Sequence, residues 1–283
     1  MEIDRSFTSS APARQGDLIA RANFEQRHCF DRFGVIVTAD CDMERARPDH
    51  QLTFLRIVPV AEYVMHIWCR RKLHDLTARL RNDTASLFNR LSQENEPTWS
   101  SMTSDQLADW LSSSSAQEIC DTLSSNKVRK SDIEKLSIRL GEMQFAGTTA
   151  NISPSAPALD PFIYLRARKK KVEIAKMRDD VLQQAKNELS KESDEIFFLS
   201  RLVPDEQSEG YYVMLDHIGT LRRDQLFDYK SEADLTPEGA HRFGRLQNTF
   251  KYAVVQRFAF LFQRIGLPDE RIDLHKSALQ KIG

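Results

Sequence analysis

The hydrophobic pattern of the chain changes period twice: strand-type runs lead, helical spacing follows, and strand-type runs return before a closing apolar helix. Gly16-Asp17 signals a turn, and Leu18-Ile19-Ala20 behind it reads as a strand. The strongest strand signal is Gly34-Val35-Ile36-Val37-Thr38-Ala39, β-branched and bounded by Gly34 and the polar Asp40-Cys41-Asp42. Leu52 to Val60 is a continuous apolar run that fits a buried strand, with Pro59 marking its end. Leu73, Leu76, Leu80, Leu87 and Leu91 then recur at helical spacing, which predicts one long amphipathic helix, or two in series, over about 62–92.

Thr103-x-x-Gln106 and Ser131-x-x-Glu134 each read as a capping box ahead of an apolar stripe. Gly147 to Pro161, rich in Thr, Ser, Pro and Ala, reads as an exposed linker, and a charged helix is expected over about 163–190. Strand chemistry returns at Glu195–Leu199 and, after a turn from Pro204 to Gly210, at Tyr211–Leu215. Thr236-Pro237 is expected to open the last helix, threonine as N-cap and proline at the first helical position. The stripe of Leu246, Phe250, Val254, Phe258, Leu261 and Ile265 must then be buried, with Gly266 and Pro268 ending the helix. The expectation is an α+β chain. Residues 1–14 form a flexible lead, 15–61 and 194–283 make one strand-bearing body with a C-terminal helix, and 62–193 are a helical insertion.

Composition narrows the class. At 283 residues, with 41% hydrophobic and 29% charged, the chain can bury a core and is unlike a disordered sequence. Lys plus Arg number 40 against 41 for Asp plus Glu, so no global field draws the protein to nucleic acid or membrane and any basic surface must be local. The four cysteines, Cys29, Cys41, Cys69 and Cys120, form no CxxC pair and suggest no disulfide framework. Met1 to Gln15 has no apolar signal core, and no apolar run approaches the roughly 20 residues that cross a bilayer. A cytoplasmic protein without membrane partner or cofactor is expected.

With the helical middle set aside, the flanks form a recognisable order. The left flank runs Gln15-Gly16-Asp17, Arg32, Val35-Ile36-Val37-Thr38 and Ile57-Val58-Pro59-Val60. The right flank runs Tyr212-Val213-Met214-Leu215-Asp216-His217-Ile218-Gly219-Thr220-Leu221, with Gln225-Leu226 behind it. This order resembles the MazF/PemK family of growth-inhibitor toxins over about 15–62 and 194–265. The resemblance implies an SH3-like barrel with a packed C-terminal helix, a homodimer, and a toxin–antitoxin or bacterial defence setting. It also implies RNA, or a protein such as an antitoxin or larger complex, as partner. Some family members cut RNA without metal, and a related branch poisons DNA gyrase. The family's catalytic arginine falls on Arg32, followed by Phe33 where proline is usual; its catalytic threonine falls on Ala61, and its glutamine on His217.

Two functional readings follow: a module that binds nucleic acid or protein, and a metal-independent endoribonuclease cleaving by 2′-hydroxyl attack. For the second, Arg32 would stabilise the phosphorane and His217 would move a proton. The bland readings are a surface arginine before a strand and a histidine bonded to its neighbours. Asp40 and Asp42 could hold a divalent cation, with Asp17 as a third ligand, or they form an Asp-rich turn around a half-buried Cys41. Cys41 could be a nucleophile with His28 or His217 as base, and His28-Cys29 with Cys41 is a zinc alternative without a recognised spacing. Arg70, Arg71, Lys72, Arg79 and Arg81, and then Arg166 to Lys171 with Lys169, Lys170 and Lys171 at its end, form two basic runs that could follow a phosphate backbone or line solvated helix faces.

Overall fold

The computed structural model describes residues 2–4, 6–23, 26–45, 49–95, 101–123, 128–151, 153, 155–191, 193–202 and 210–263. It divides into two compact units, one of residues 1–61 with 189–283 and one of 62–188. The turn expected from Pro204 to Gly210 and the helix stop at Gly266 and Pro268 fall mainly or wholly outside the described residues.

In the first unit, strands from both ends of the chain hydrogen-bond into one sheet. They are β1 (Asp17–Arg21), β2 (Phe33–Ile36), β3 (Gln51–Pro59), β4 (Ile196–Leu199), β5 (Tyr211–Arg222), β6 (Leu226–Phe227) and β7 (Ala240–Arg245). Their order is β4-β5-β3-β2-β1-β7-β6, antiparallel throughout except for the parallel pair β6 and β7. The decisive long-range pairing is β3 with β5, which sets Ile57 beside Val213 and Val58 beside Tyr212. The chain is α+β as expected, but the sheet is not closed: β4 and β6 stand at its two ends.

Strand alternation gives the sheet two apolar faces. One gathers Leu18, Val35, Leu55, Ile57, Val213 and Leu215, onto which α10 (Asn248–Gln263) lays Phe250, Val254, Phe258 and Leu261. The other gathers Ile19, Ile36, Phe54 and Leu221 with Met43 of α1 (Asp40–Glu44). Each such side chain taken from water contributes about 1.5–3 kcal/mol, so the pattern of alternation sets the register of the sheet. Phe54 lies across its neighbours so closely that a Cβ at Gly34 or Gly219 would run into the ring.

Near the start of the chain Ile3 is buried and bridges Leu246, and the Glu2 carboxylate accepts from Ser200 N at 2.7 Å and Oγ at 2.8 Å. Two expectations for this unit change. Thr236-Pro237 does not open a helix. It starts a turn closed by Gly239 N donating to Thr236 O at 2.9 Å, with Glu238 at φ 62°, after α9 (Lys230–Ala233) and before β7. Leu246 therefore packs from the chain between β7 and α10, not from the helix. Asp40-Cys41-Asp42 is the first turn of α1, and Cys41 is exposed.

Among the described residues the second unit holds helices and no strand. The predicted long helix exists as α2 (Val60–Tyr63), a π turn at Val64–Trp68 and α3 (Cys69–Asn95) in unbroken succession. Around it lie α4 (Ser104–Ser113), α5 (Ala116–Leu123), α6 (Lys130–Ala150), α7 (Leu159–Lys170) and α8 (Ile174–Leu189). Phe88, Leu91, Leu107, Ile119, Leu136 and Leu140 form its core across α3 to α6. The Thr103 box forms: Thr103 N donates to Gln106 Oε1 at 2.8 Å and Gln106 N to Thr103 Oγ1 at 3.2 Å. The Ser131 box does not, because α6 starts at Lys130 with no side-chain cap; Ser115 and Glu118 make a reciprocal pair ahead of α5 instead. The expected linker is tied down. Ala158 is buried, its N–H donates to Met65 O at 2.8 Å, and Arg70 Nη2 donates to the carbonyls of Ser153 and Ala156 at 2.9 and 2.7 Å. The charged helix is two helices, divided where Lys171 takes φ 56°. Among the described residues no helix is long and apolar enough to cross a membrane.

Candidate functional site

The turn at Gly16, with φ 89°, delivers Asp17 into the sheet, where its carboxylate is fully buried. Asp17 accepts from Arg14 N at 2.9 Å and from Arg242 Nη1 at 3.3 Å, and it pairs with Arg245 Nε. Arg242 is itself buried and also reaches Ser9 O and Asp228, while Arg245 donates to Pro12 O at 2.9 Å. Asp17 is thus the centre of a structural ion cluster, and its commitment to two arginines removes it from any metal-ligand set.

At the other end of β1 a second cluster collects charge from five segments. Arg21 and Arg27 both pair with Glu238, the latter at 3.3 Å. Arg32 Nε donates to Arg27 O at 3.2 Å, and Arg21 N donates to Arg32 O at 2.8 Å. Asp31, next to Arg32, pairs with Arg56 Nη1 at 3.0 Å. The arginines are held by their surroundings: Arg21 stacks 5.8 Å over the ring of Phe54, and its side chain is 11% exposed. Burial pulls the Arg21 guanidinium below its ordinary value, with Glu238 offsetting part of that effect. Burial pushes the Glu238 carboxyl up, but Arg27 and Arg21 outweigh it and hold the group below the usual carboxylate range. Three guanidinium groups share two carboxylates and the fourth, Arg32, donates to a carbonyl, so the cluster keeps an excess of positive charge in planar forks that match phosphate oxygens.

Arg32 belongs to this cluster, but His217 does not. The register of β3 with β5 jumps between Leu55 beside Ile218 and Arg56 beside Met214, so Leu215, Asp216 and His217 form a bulge. His217 Nδ1 lies 2.7 Å from Asp216 Oδ1, and the ring is half-exposed. With β3 lying between them, β2, which Arg32 directly precedes, and β5, which carries His217, are two strand spacings apart, about 10 Å. Phe33, where the resemblance expects proline, packs edge-on against Tyr211 and Phe243. Ala61 brings no hydroxyl.

The remaining candidates lie apart. Asp40 Oδ1 accepts from Gln15 N at 2.6 Å, and Asp42 Oδ1 is the polar neighbour of Cys41 Sγ at 3.8 Å, not a histidine. Among the described residues, Asp40, Cys41 and Asp42 join no group of three close ligand atoms. Arg70 braces the helical unit as described above. Lys72 pairs with Glu188 at 2.8 Å and sits 5.4 Å over the ring of Trp68, while Arg71 is exposed. Lys169, Lys170 and Lys171 are exposed at the C-terminal end of α7, where cations offset the negative end of the helix dipole.

No family model, curated protein or solved structure matches this chain. Its residues therefore carry the functional argument. Sequence reasoning missed Arg21, Arg27, Arg56 and Glu238. One signal was present: Arg56 interrupts the apolar run Leu52 to Val60 with a charge, and such a charge needs a partner.

Proposed function

We propose that the protein is a nucleic-acid-binding module of the toxin-like barrel type that holds a phosphate backbone without cutting it. The observation that carries this reading is the linked set Arg21, Arg27, Arg32 and Arg56 around β1, β2 and β3: three guanidinium groups on two carboxylates, with Arg32 held by the Arg27 carbonyl. Cleavage by 2′-hydroxyl attack needs a cation and a proton-handling group at the same phosphate. Arg32 meets the first requirement, but Ala61 has no hydroxyl and His217 stands beyond β3. The pairing of β3 with β5 across the helical insertion supports kinship with the MazF/PemK barrel, here opened at β4 and β6. With that kinship come a toxin–antitoxin or defence setting and a cytoplasmic location.

The test is fluorescence anisotropy of labelled single-stranded RNA with the full chain in EDTA, across a salt series, followed by sizing of the RNA. Saturable binding that weakens with salt is expected, with the RNA intact. Arg56→Gln should lower affinity and reduce the salt slope by about 0.7, the share of one phosphate contact on a single strand. Absence of binding at low salt overturns the proposal. Discrete fragments that disappear in Arg32→Ala overturn it in favour of the endoribonuclease.

A further inference from the structure

Within the helical unit, α3, α4 and α6 line a half-open cleft of about 540 Å³, in the range of small-molecule sites, with Asp105 and Asp109 exposed at its mouth. Its floor is apolar, with Leu111 and Met143 both buried. Its walls carry charge of both signs. Arg81 projects from α3, while Asp105 and Asp109, one turn apart, face it from α4. Gln144 and Asn151 line the α6 side, with Thr148 between them. Among the described residues, the side chains of Arg81, Asp105 and Asp109 make no hydrogen bond and no ion pair with each other or with any other group, although the Asp109 carbonyl accepts from Ser112 Oγ at 2.6 Å. Some other charges of this unit do pair: Lys72 with Glu188, Arg178 with Asp160, and Lys135 with Asp132.

The cleft is also left open by a glycine. A Cβ at Gly147 would meet only Arg81 Nη2, at 3.8 Å, so the helix wall has room for a side chain that the sequence omits. The guanidinium fork lies over that gap.

We propose that this cleft binds a basic α-amino acid. The charge count makes the choice. One guanidinium takes one carboxylate through paired N–H donors, and two carboxylates on one helix face take two cations. A ligand with one carboxylate, an α-ammonium group and a cationic side chain neutralises all three charged residues. The carboxamides of Gln144 and Asn151 supply the neutral donors and acceptors that orient it, and its methylene stem lies on Leu111 and Met143. A ligand with two acids, or with no acid, leaves at least one of these charges unmatched.

Isothermal titration of the full chain with L-lysine and L-arginine, and with L-glutamate and cadaverine as controls, tests the proposal. One saturable site is expected for both basic amino acids. L-glutamate lacks the second cation and cadaverine the carboxylate, so each should bind about tenfold or more weakly, the scale of one charge-assisted hydrogen-bonded pair. Arg81→Gln should abolish the preference for L-lysine over cadaverine. Gly147→Leu fills the cleft at a position that favours helix, so it should block binding while far-UV circular dichroism stays unchanged. The proposal is overturned if neither basic amino acid saturates the protein. It is equally overturned if a folded Gly147→Leu variant binds them as tightly as the parent chain.

Discussion

Replacing Asp17 by asparagine tests the physics of the sheet most directly. The substitution preserves shape but removes the charge and turns one acceptor oxygen into an NH2 that faces guanidinium donors. The carboxylate it replaces is fully buried, and Arg242, its partner, has a side chain only 4% exposed. Removing one partner of a buried ion pair costs about 3–5 kcal/mol, because the other charge stays desolvated. Arg242 keeps Asp228 and the Ser9 carbonyl, and Arg245 keeps the Pro12 carbonyl, so the lower end of that range, about 3 kcal/mol, applies here. With a urea dependence of about 2 kcal/mol per molar, the unfolding midpoint of the sheet unit should fall by about 1.5 M. Trp68, Trp99 and Trp110 all lie between residues 62 and 188, so tryptophan fluorescence follows the helical unit and is the wrong probe. Hydrogen exchange of peptides from β1, β5 and β7 across a urea series reads the right one. Asp228→Asn, at a carboxylate 42% exposed, is the control and should cost no more than about 1 kcal/mol. A midpoint for Asp17→Asn equal to that of the control would refute the argument that burial gives this cluster its weight.

Other perturbations follow from the same geometry. Burial pulls His241 below its ordinary 6.5, and its buried Nδ1 has no hydrogen-bond partner. The unfolded chain therefore takes up a proton first, and stability should hold above about pH 6.5 and decline as pH falls toward the lowered native value; His241→Gln should flatten that decline in urea melts at successive pH values. Cys41 is the one exposed cysteine among the four, and burial pushes the Cys69 thiol up to about 12, so iodoacetamide should label one site in the folded protein and four after denaturation, counted by mass spectrometry. Gly219→Ala drives a methyl into the ring of Phe54 and should destabilise the sheet unit by about 1–3 kcal/mol; a shift under about 0.5 kcal/mol in the urea midpoint would mean that Phe54 is free to move.

Local patterning located most elements because period and cap are local properties. The Leu stripe of α3, the Thr103 box and the strand at β3 could be read directly from neighbouring residues. Failures came where two structures share one local signature. Ser131-x-x-Glu134 satisfies the capping pattern, yet α6 starts a residue earlier, and Ser115 with Glu118 makes the reciprocal pair that the pattern describes. The Ser- and Pro-rich stretch after Gly147 looks like solvent-exposed linker, but Arg70 reaches across sequence to bind its carbonyls. Those bonds depend on tertiary placement, and composition carries no trace of them.

The same reasoning explains why the candidate site was only partly legible. Arg32 stood out through family resemblance, whereas Arg21, Arg27 and Arg56 become neighbours only after β1, β2 and β3 take their register. Thr236-Pro237 is the instructive case. Proline's fixed φ suits the first turn of a helix and the second position of a β-turn equally. Two residues downstream the ambiguity is resolved, because Glu238 takes φ 62°, a conformation that costs a non-glycine residue about 1 kcal/mol or more. The turn holds because its side chain pairs with Arg21 and Arg27, which the chain supplies more than two hundred residues earlier. The residue that defeats a local reading of the fold is therefore the one that ties two of the four arginines in place. Strain at Glu238 and the charge excess at Arg32 belong to one arrangement.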